Sequence, residues 1–177
     1  MIYYDLGTYT RPITTKSSEA QVWFDRGLNW VFAFNHEEAI ACFGKALEHD
    51  PGCAMAHWGI AYAAGPNYNL PWHLYDPAGK AKALAAAYDA MQAALGCLGQ
   101  ATPVEQALIQ ALPARYPQRE AIDDQSAWNA AFTKAMRTLF QANRSDLDAK
   151  AASFAPARRT ASTPTASWSP GARPFAR

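Results

Sequence analysis

Between residues 20 and 51 the chain reads AQVWFDRGLNWVFAFNHEEAIACFGKALEHDP, and its apolar positions recur at helical rather than strand spacing. Trp23, Gly27, Trp30, Val31 and Phe34 form one stripe, and Ala39, Phe43, Ala46 and Leu47 a second. Two amphipathic helices joined by a tight turn follow from this pattern. Ser18, with Gln21 three residues on, has the spacing of a capping box for the first; Asn35, with Glu38, has it for the second. Gly27 in mid-helix marks the point where another backbone or ring must come close. Small Ala39 and Ala46 are expected to admit Trp23, Trp30 and Phe43 across the seam. Pro51 ends the unit, since it biases Asp50 away from helical geometry.

The same pattern continues downstream. A helix is predicted over Ala54–Ala64, stopped by Gly65-Pro66. Its partner opens at Asp76-Pro77 and runs to about Leu98, with Ala87, Met91 and Ala94 repeating the offsets of Ala39, Phe43 and Ala46. A third unit follows: Thr102, Pro103 and Glu105 cap a helix that Pro113 ends, and a further helix runs from Asp124 or Ser126 to Asn143. Trp128, Ala131, Phe132, Ala135, Met136, Leu139 and Phe140 form its apolar face, and Asp146 has the place of a cap for another helix. The units are thus about 18–51, 54–98 and 102–143, within a helical domain spanning 17–150. Residues 1–16 read as an extended arm that packs Tyr3, Tyr4 and Tyr9 against the first helices.

The spacing W-x3-G-x2-W-x8-A-x3-F-x2-A-x4-P, carried by Trp23, Gly27, Trp30, Ala39, Phe43, Ala46 and Pro51, resembles the tetratricopeptide repeat, whose period is about 34 residues. Arg26 and Trp30 stand where that repeat usually has Leu and Tyr. FNHEEAIACFGKALEHDPGCAMAHWGIAYAAGPNYN is similar to the opening of a bacterial family of long tetratricopeptide-repeat proteins, a likeness reaching roughly from Tyr3 to Asp148. The resemblance implies an all-α fold: stacked antiparallel helix pairs in a short right-handed superhelix. The concave face would take a peptide or partner segment through Gln21, Phe24, Leu28, Val31, Met55, Trp58 and Tyr62. The second pair is offset from the first by 48 residues, so an insertion, GPNYNLPWHLYD at 65–76, separates its helices. Such insertions often lie on a binding face.

Composition narrows the function classes. Half of the 177 residues are hydrophobic and the net charge is +1, which gives no basic field for nucleic acid. Residues 1–150 hold 12 basic and 15 acidic side chains, a net −3. Arg115, Arg119, Arg137 and Arg144 are scattered and read as balanced by acids. Cys42, Cys53 and Cys97 have no C-x-x-C spacing and read as core or half-exposed thiols in a reducing compartment. The N-terminus lacks a signal-peptide pattern and no apolar run reaches a membrane span, so a cytoplasmic location is expected. From 151 to 177 there is no Leu, Ile, Val, Asp, Glu, Lys, Asn or Gln. Except for two Phe, every residue there has C or G at its middle codon position. That composition reads as GC-rich DNA translated out of frame after a frameshift near Lys150; a genuine disordered tail is the plain alternative. A last helix deprived of its cap would expose apolar surface over 126–143 and promote self-association.

Candidate chemistry is thin. His36-Glu37-Glu38 lacks the second His of a metalloprotease motif, because Ile40 stands in its place. No phosphate loop, nucleophile elbow or metal-ligand spacing occurs, so no catalytic residue, metal or cofactor is expected. His57, Asn67, Tyr68, Asn69, Trp72 and His73 form the densest polar–aromatic cluster and offer a small-molecule or metal site in the insertion. A loop whose polar atoms converge on one point would favour that site; satisfaction by its own backbone would count against it. The leading expectation is a non-catalytic interaction scaffold, with the small-ligand site as alternative and a remnant of a disrupted longer gene as a third.

Overall fold

The computed structural model describes residues 3–146. Among them run six α-helices and no strand: α1 Ser18–Phe32, α2 His36–His49, α3 Ala54–Ala64, α4 Pro77–Gly96, α5 Pro103–Ala111 and α6 Ser126–Ala142. Each helix packs on the next, and α3 also touches α1 and α5. The 151–177 segment and the helix expected after Asp146 lie outside the described residues.

Local chemistry sets most helix ends. Asn35 accepts the Glu38 N–H, Asp76 accepts that of Gly79 ahead of Pro77, and Thr102 with Glu105 closes a complete capping box. The start of α1 differs from expectation. Ser17, not Ser18, is the cap, accepting the Ala20 N–H at 3.1 Å. Gln21 cannot serve as its reciprocal partner because its amide is bonded elsewhere. Glu38 likewise turns away from Asn35 and accepts the Tyr3 hydroxyl at 2.7 Å.

The core converges on Phe43. Its ring is fully buried, and a Cβ added at Gly27 of α1 or Gly59 of α3 would meet it at 2.6 and 2.7 Å. Two glycines on two helices therefore admit one ring from α2, and Phe24 lies beside it at 5.4 Å between centroids. Ala20, Phe24, Leu28 and Val31 make the inner stripe of α1. Trp23 and Trp30, expected in this seam, are half-buried on another side of α1. Both pack against the core from its edge, about 100° or more round the helix from Phe24.

The face of α6 is turned inward: Phe132, Met136 and Leu139 are buried, Trp128, Ala135 and Phe140 half-buried, and Ala131, expected inside, is exposed. The apolar surface expected there lies elsewhere among the described residues, at Val22, Phe32, Phe34, Tyr68, Leu70 and Leu74. No helix among the described residues is long and apolar enough to cross a membrane, and none of their His, Cys, Asp and Glu side chains cluster as metal ligands. Cys42, Cys53 and Cys97 are free thiols, and burial pushes that of Cys53 up to about 11.

Candidate functional site

Six of the seven side chains expected on a concave binding surface are core. Phe24, Leu28, Val31, Met55, Trp58 and Tyr62 are all buried, with Trp58 stacked on Tyr62 at 5.1 Å. Their stripes hold α1, α2 and α3 together, so none is offered to a partner. Gln21 alone of the set keeps its polar atoms at a half-buried edge. Those atoms hold an extended segment of this same chain.

Gln21, Asp25 and Asn29 stand four residues apart and so share one face of α1. Gln21 accepts the Ile13 N–H through Oε1 at 3.0 Å and donates from Nε2 to the Arg11 carbonyl at 2.8 Å. Asp25 accepts the Arg11 N–H at 3.0 Å and the Thr10 hydroxyl at 2.6 Å. Asn29 donates to the Tyr9 carbonyl at 3.4 Å. The segment thus runs antiparallel to α1, with the backbones of residues 9, 11 and 13 facing the helix. Eight helical residues rise about 12 Å, and four steps of chain cover that only when nearly extended, at about 3.3 Å each.

Two further carboxylates take the side chains of this segment. The Arg11 guanidinium forms a two-pronged pair with Asp146, Nη1 to Oδ1 at 2.8 Å and Nη2 to Oδ2 at 2.9 Å. Glu105 accepts the Thr14 N–H at 2.7 Å and its hydroxyl at 2.6 Å, while the N–H and hydroxyl of Thr102 hold the same carboxylate at 2.7 and 2.8 Å. Burial of Glu105, 2% exposed, pushes its pKa up, but the hydrogen bonds from Thr14 and Thr102 outweigh that and hold it below the ordinary value. Thr15 adds a bond to Asp50 at 2.6 Å. Earlier in the arm Gly7, at φ +78°, turns the chain. Tyr3 then packs edge-on to Trp23, accepts the Trp30 indole N–H at 2.8 Å and lies under the Arg26 guanidinium at 4.3 Å. Tyr4 packs edge-on to Trp30, and Tyr9 to Phe32.

The insertion behaves as a shaped loop. The Asn67 side chain accepts the N–H groups of Asn69 and Leu70, both at 2.9 Å, so its amide oxygen is spent on the turn. His57 bonds the Pro51 carbonyl at 3.1 Å, and His73 is exposed. Tyr68 is exposed against Phe34, ring centroids 6.1 Å apart. Trp72 is buried against Tyr75 with its indole N–H lacking a protein acceptor. A single inward donor among these groups makes no convergent ligand set.

No family model, curated protein or solved structure matches the chain. What the arrangement can do therefore rests on its own geometry.

Gln21, expected on a concave partner face, holds the backbone of the arm instead, and sequence reasoning missed Asp25, Asn29 and Arg11. Their signal was present as polar residues at 21, 25 and 29 on a helix whose neighbouring stripe is apolar. Arg115 was misplaced: it is 3% exposed, and among the described residues its guanidinium bonds carbonyls rather than acids. Its guanidinium caps the end of α3 through the carbonyls of Tyr62 and Pro66, and lies 5.0 to 5.3 Å from the ring centres of Tyr62, Tyr116 and Phe132. Tyr116 donates to Ala61 O at 2.8 Å beside it. A cation at a helix C-terminus, ringed by aromatic faces, is satisfied there and serves the packing of α3 against the later helices. Arg119, by contrast, pairs with Asp89 at the surface.

Proposed function

We propose that this chain is a non-catalytic helical-repeat interaction module, of the kind its pattern resembles, and that it binds an extended peptide segment along α1. One observation carries the reading. Gln21, Asp25 and Asn29 already hold such a segment, residues 9–13, chiefly by its backbone. Main-chain recognition of this kind accepts any chain that can lie extended, as strand addition does at a sheet edge. The arm is then an occupant held in cis, present at a high effective concentration because it is tethered.

The test uses the full chain and a labelled peptide of residues 8–16, TYTRPITTK. Arg11→Pro with Ile13→Pro removes the two arm N–H donors that Asp25 and Gln21 accept, while leaving α1 untouched. Fluorescence polarisation is expected to show uptake by this variant, little by the native chain, and loss on adding Gln21→Ala with Asp25→Ala. Failure of the arm-released chain to take up peptide, or uptake indifferent to the two alanines, would overturn the proposal.

A further inference from the structure

Resting on that reading, the geometry points to a sequence preference: the face selects an extended segment carrying Arg followed three residues later by Thr, with Asp146 and Glu105 as the selecting groups. The ladder on α1 touches main chain except at Asp25, which also accepts the Thr10 hydroxyl, so by itself it tells peptides apart only weakly. The two carboxylates touch side chains, and they come from other parts of the fold, Glu105 from α5 and Asp146 from just beyond α6.

Each is suited to a particular side chain. Asp146 meets both Nη atoms of Arg11 in parallel, a geometry that a guanidinium satisfies and an ammonium cannot. Arg11 is 9% exposed and the Asp146 side chain 17%, so water competes weakly for the pair. Glu105 is fixed before any occupant arrives, because the capping box of α5 supplies two of its donors. Its remaining lone pairs accept a peptide N–H and a hydroxyl from one residue, which specifies Thr or Ser. Pro12, between the two selected positions, is exposed and free to vary. With Asp25 also on this face, the chemistry favours basic over acidic segments, consistent with the excess of acids in residues 1–150.

Peptide variants in the arm-released full chain test this. Replacing Arg by Lys in TYTRPITTK is expected to weaken binding at least tenfold, and Thr14→Val in the peptide about tenfold. Asp146→Asn in the protein should bring the Arg and Lys peptides to within about twofold of each other. Asp146→Arg should reverse the order, favouring a peptide with Glu in place of Arg; this second variant guards against a loss that reflects misfolding alone. Equal binding by all peptides would sink the selectivity while leaving the peptide-binding reading in place. Binding by none would remove both.

Discussion

Two faces of α1 use the same helix in opposite ways. One carries Phe24 and Gly27 against the Phe43 ring, and every contact there depends on shape. The other carries Gln21, Asp25 and Asn29 against the arm, and its contacts are chiefly hydrogen bonds to main-chain groups. A shape-dependent face holds one partner, because a methyl group more or less is felt at native packing density. A face that reads backbone depends on the conformation of what it holds more than on its side chains. The core face builds the fold, and the polar face holds the arm.

The largest effects should separate the two faces by magnitude. Phe43→Ala is expected to lower stability by about 3–5 kcal/mol, the range for deleting a buried aromatic ring. Gly27→Ala gains about 1 kcal/mol of helix propensity but forces a Cβ to 2.6 Å from the ring, an overpacking that costs about 1–3 kcal/mol. A net loss is expected, and it should vanish in a Phe43→Leu background. Gln21→Ala, on the other face, should cost only about 1 kcal/mol, while exposing arm amides to hydrogen exchange. Urea melts of the four single variants and of the Gly27→Ala, Phe43→Leu double variant check the order. Equal losses from Phe43→Ala and Gln21→Ala would mean that the arm is as integral as the core.

Acid should loosen the polar face. The Glu105 pKa is held down in the folded chain, so its contribution is fully present above the unfolded-state value of a glutamate and is lost as pH falls through the depressed folded value. Glu105→Gln is expected to cost about 2–3 kcal/mol near pH 7, since hydrogen bonds to a charged acceptor are the ones weakened. The gap between native and variant should shrink below about pH 4, where free glutamate itself titrates. Stability curves that stay parallel from pH 7 to pH 3 would show that the charge of Glu105 does not hold the arm.

Helix existence was legible because periodicity and punctuation agree over 20–51, 54–64 and 76–98, and Asn35, Asp76, Thr102 and Gly65 sit where the helices begin or stop. Facing was less legible. Stripes through Trp23–Trp30 and through Phe24–Leu28 are both helical by spacing, and only the Phe43 ring between Gly27 and Gly59 decides which is inner. The candidate site was hardly legible at all. Arg11 meets Asp146 across 135 residues and Thr14 meets Glu105 across 91, and no local pattern encodes a pairing at that distance. Glu105 was readable as a cap, and its second use was hidden because one carboxylate serves both.

The smallest effect concerns Phe34, where α1 ends and neither face is involved. The turn closes as a Schellman motif, with the Asn35 N–H on the Trp30 carbonyl at 2.9 Å and the Phe34 N–H on that of Val31 at 3.1 Å. This geometry puts Phe34 at φ 62°, in the left-handed region where glycine is usual. The strain is about 1–2 kcal/mol for an L side chain. Two terms oppose the gain from Phe34→Gly: the added freedom of an unfolded glycine, about 0.5–1 kcal/mol, and the ring contact with Tyr68, worth about 0.5 kcal/mol at so exposed a pair. Near-cancellation is therefore expected in the native background, a rise of no more than about 0.5 kcal/mol. In a Tyr68→Ala background the ring contact is already gone, and the same substitution should stabilise by about 0.5 kcal/mol more. Peptide uptake by the arm-released chain should be unchanged in both. If Phe34→Gly instead destabilises equally with and without Tyr68, the left-handed turn is not where this phenylalanine's energy lies; if it abolishes uptake, the binding face extends past Asn29 to the end of the helix.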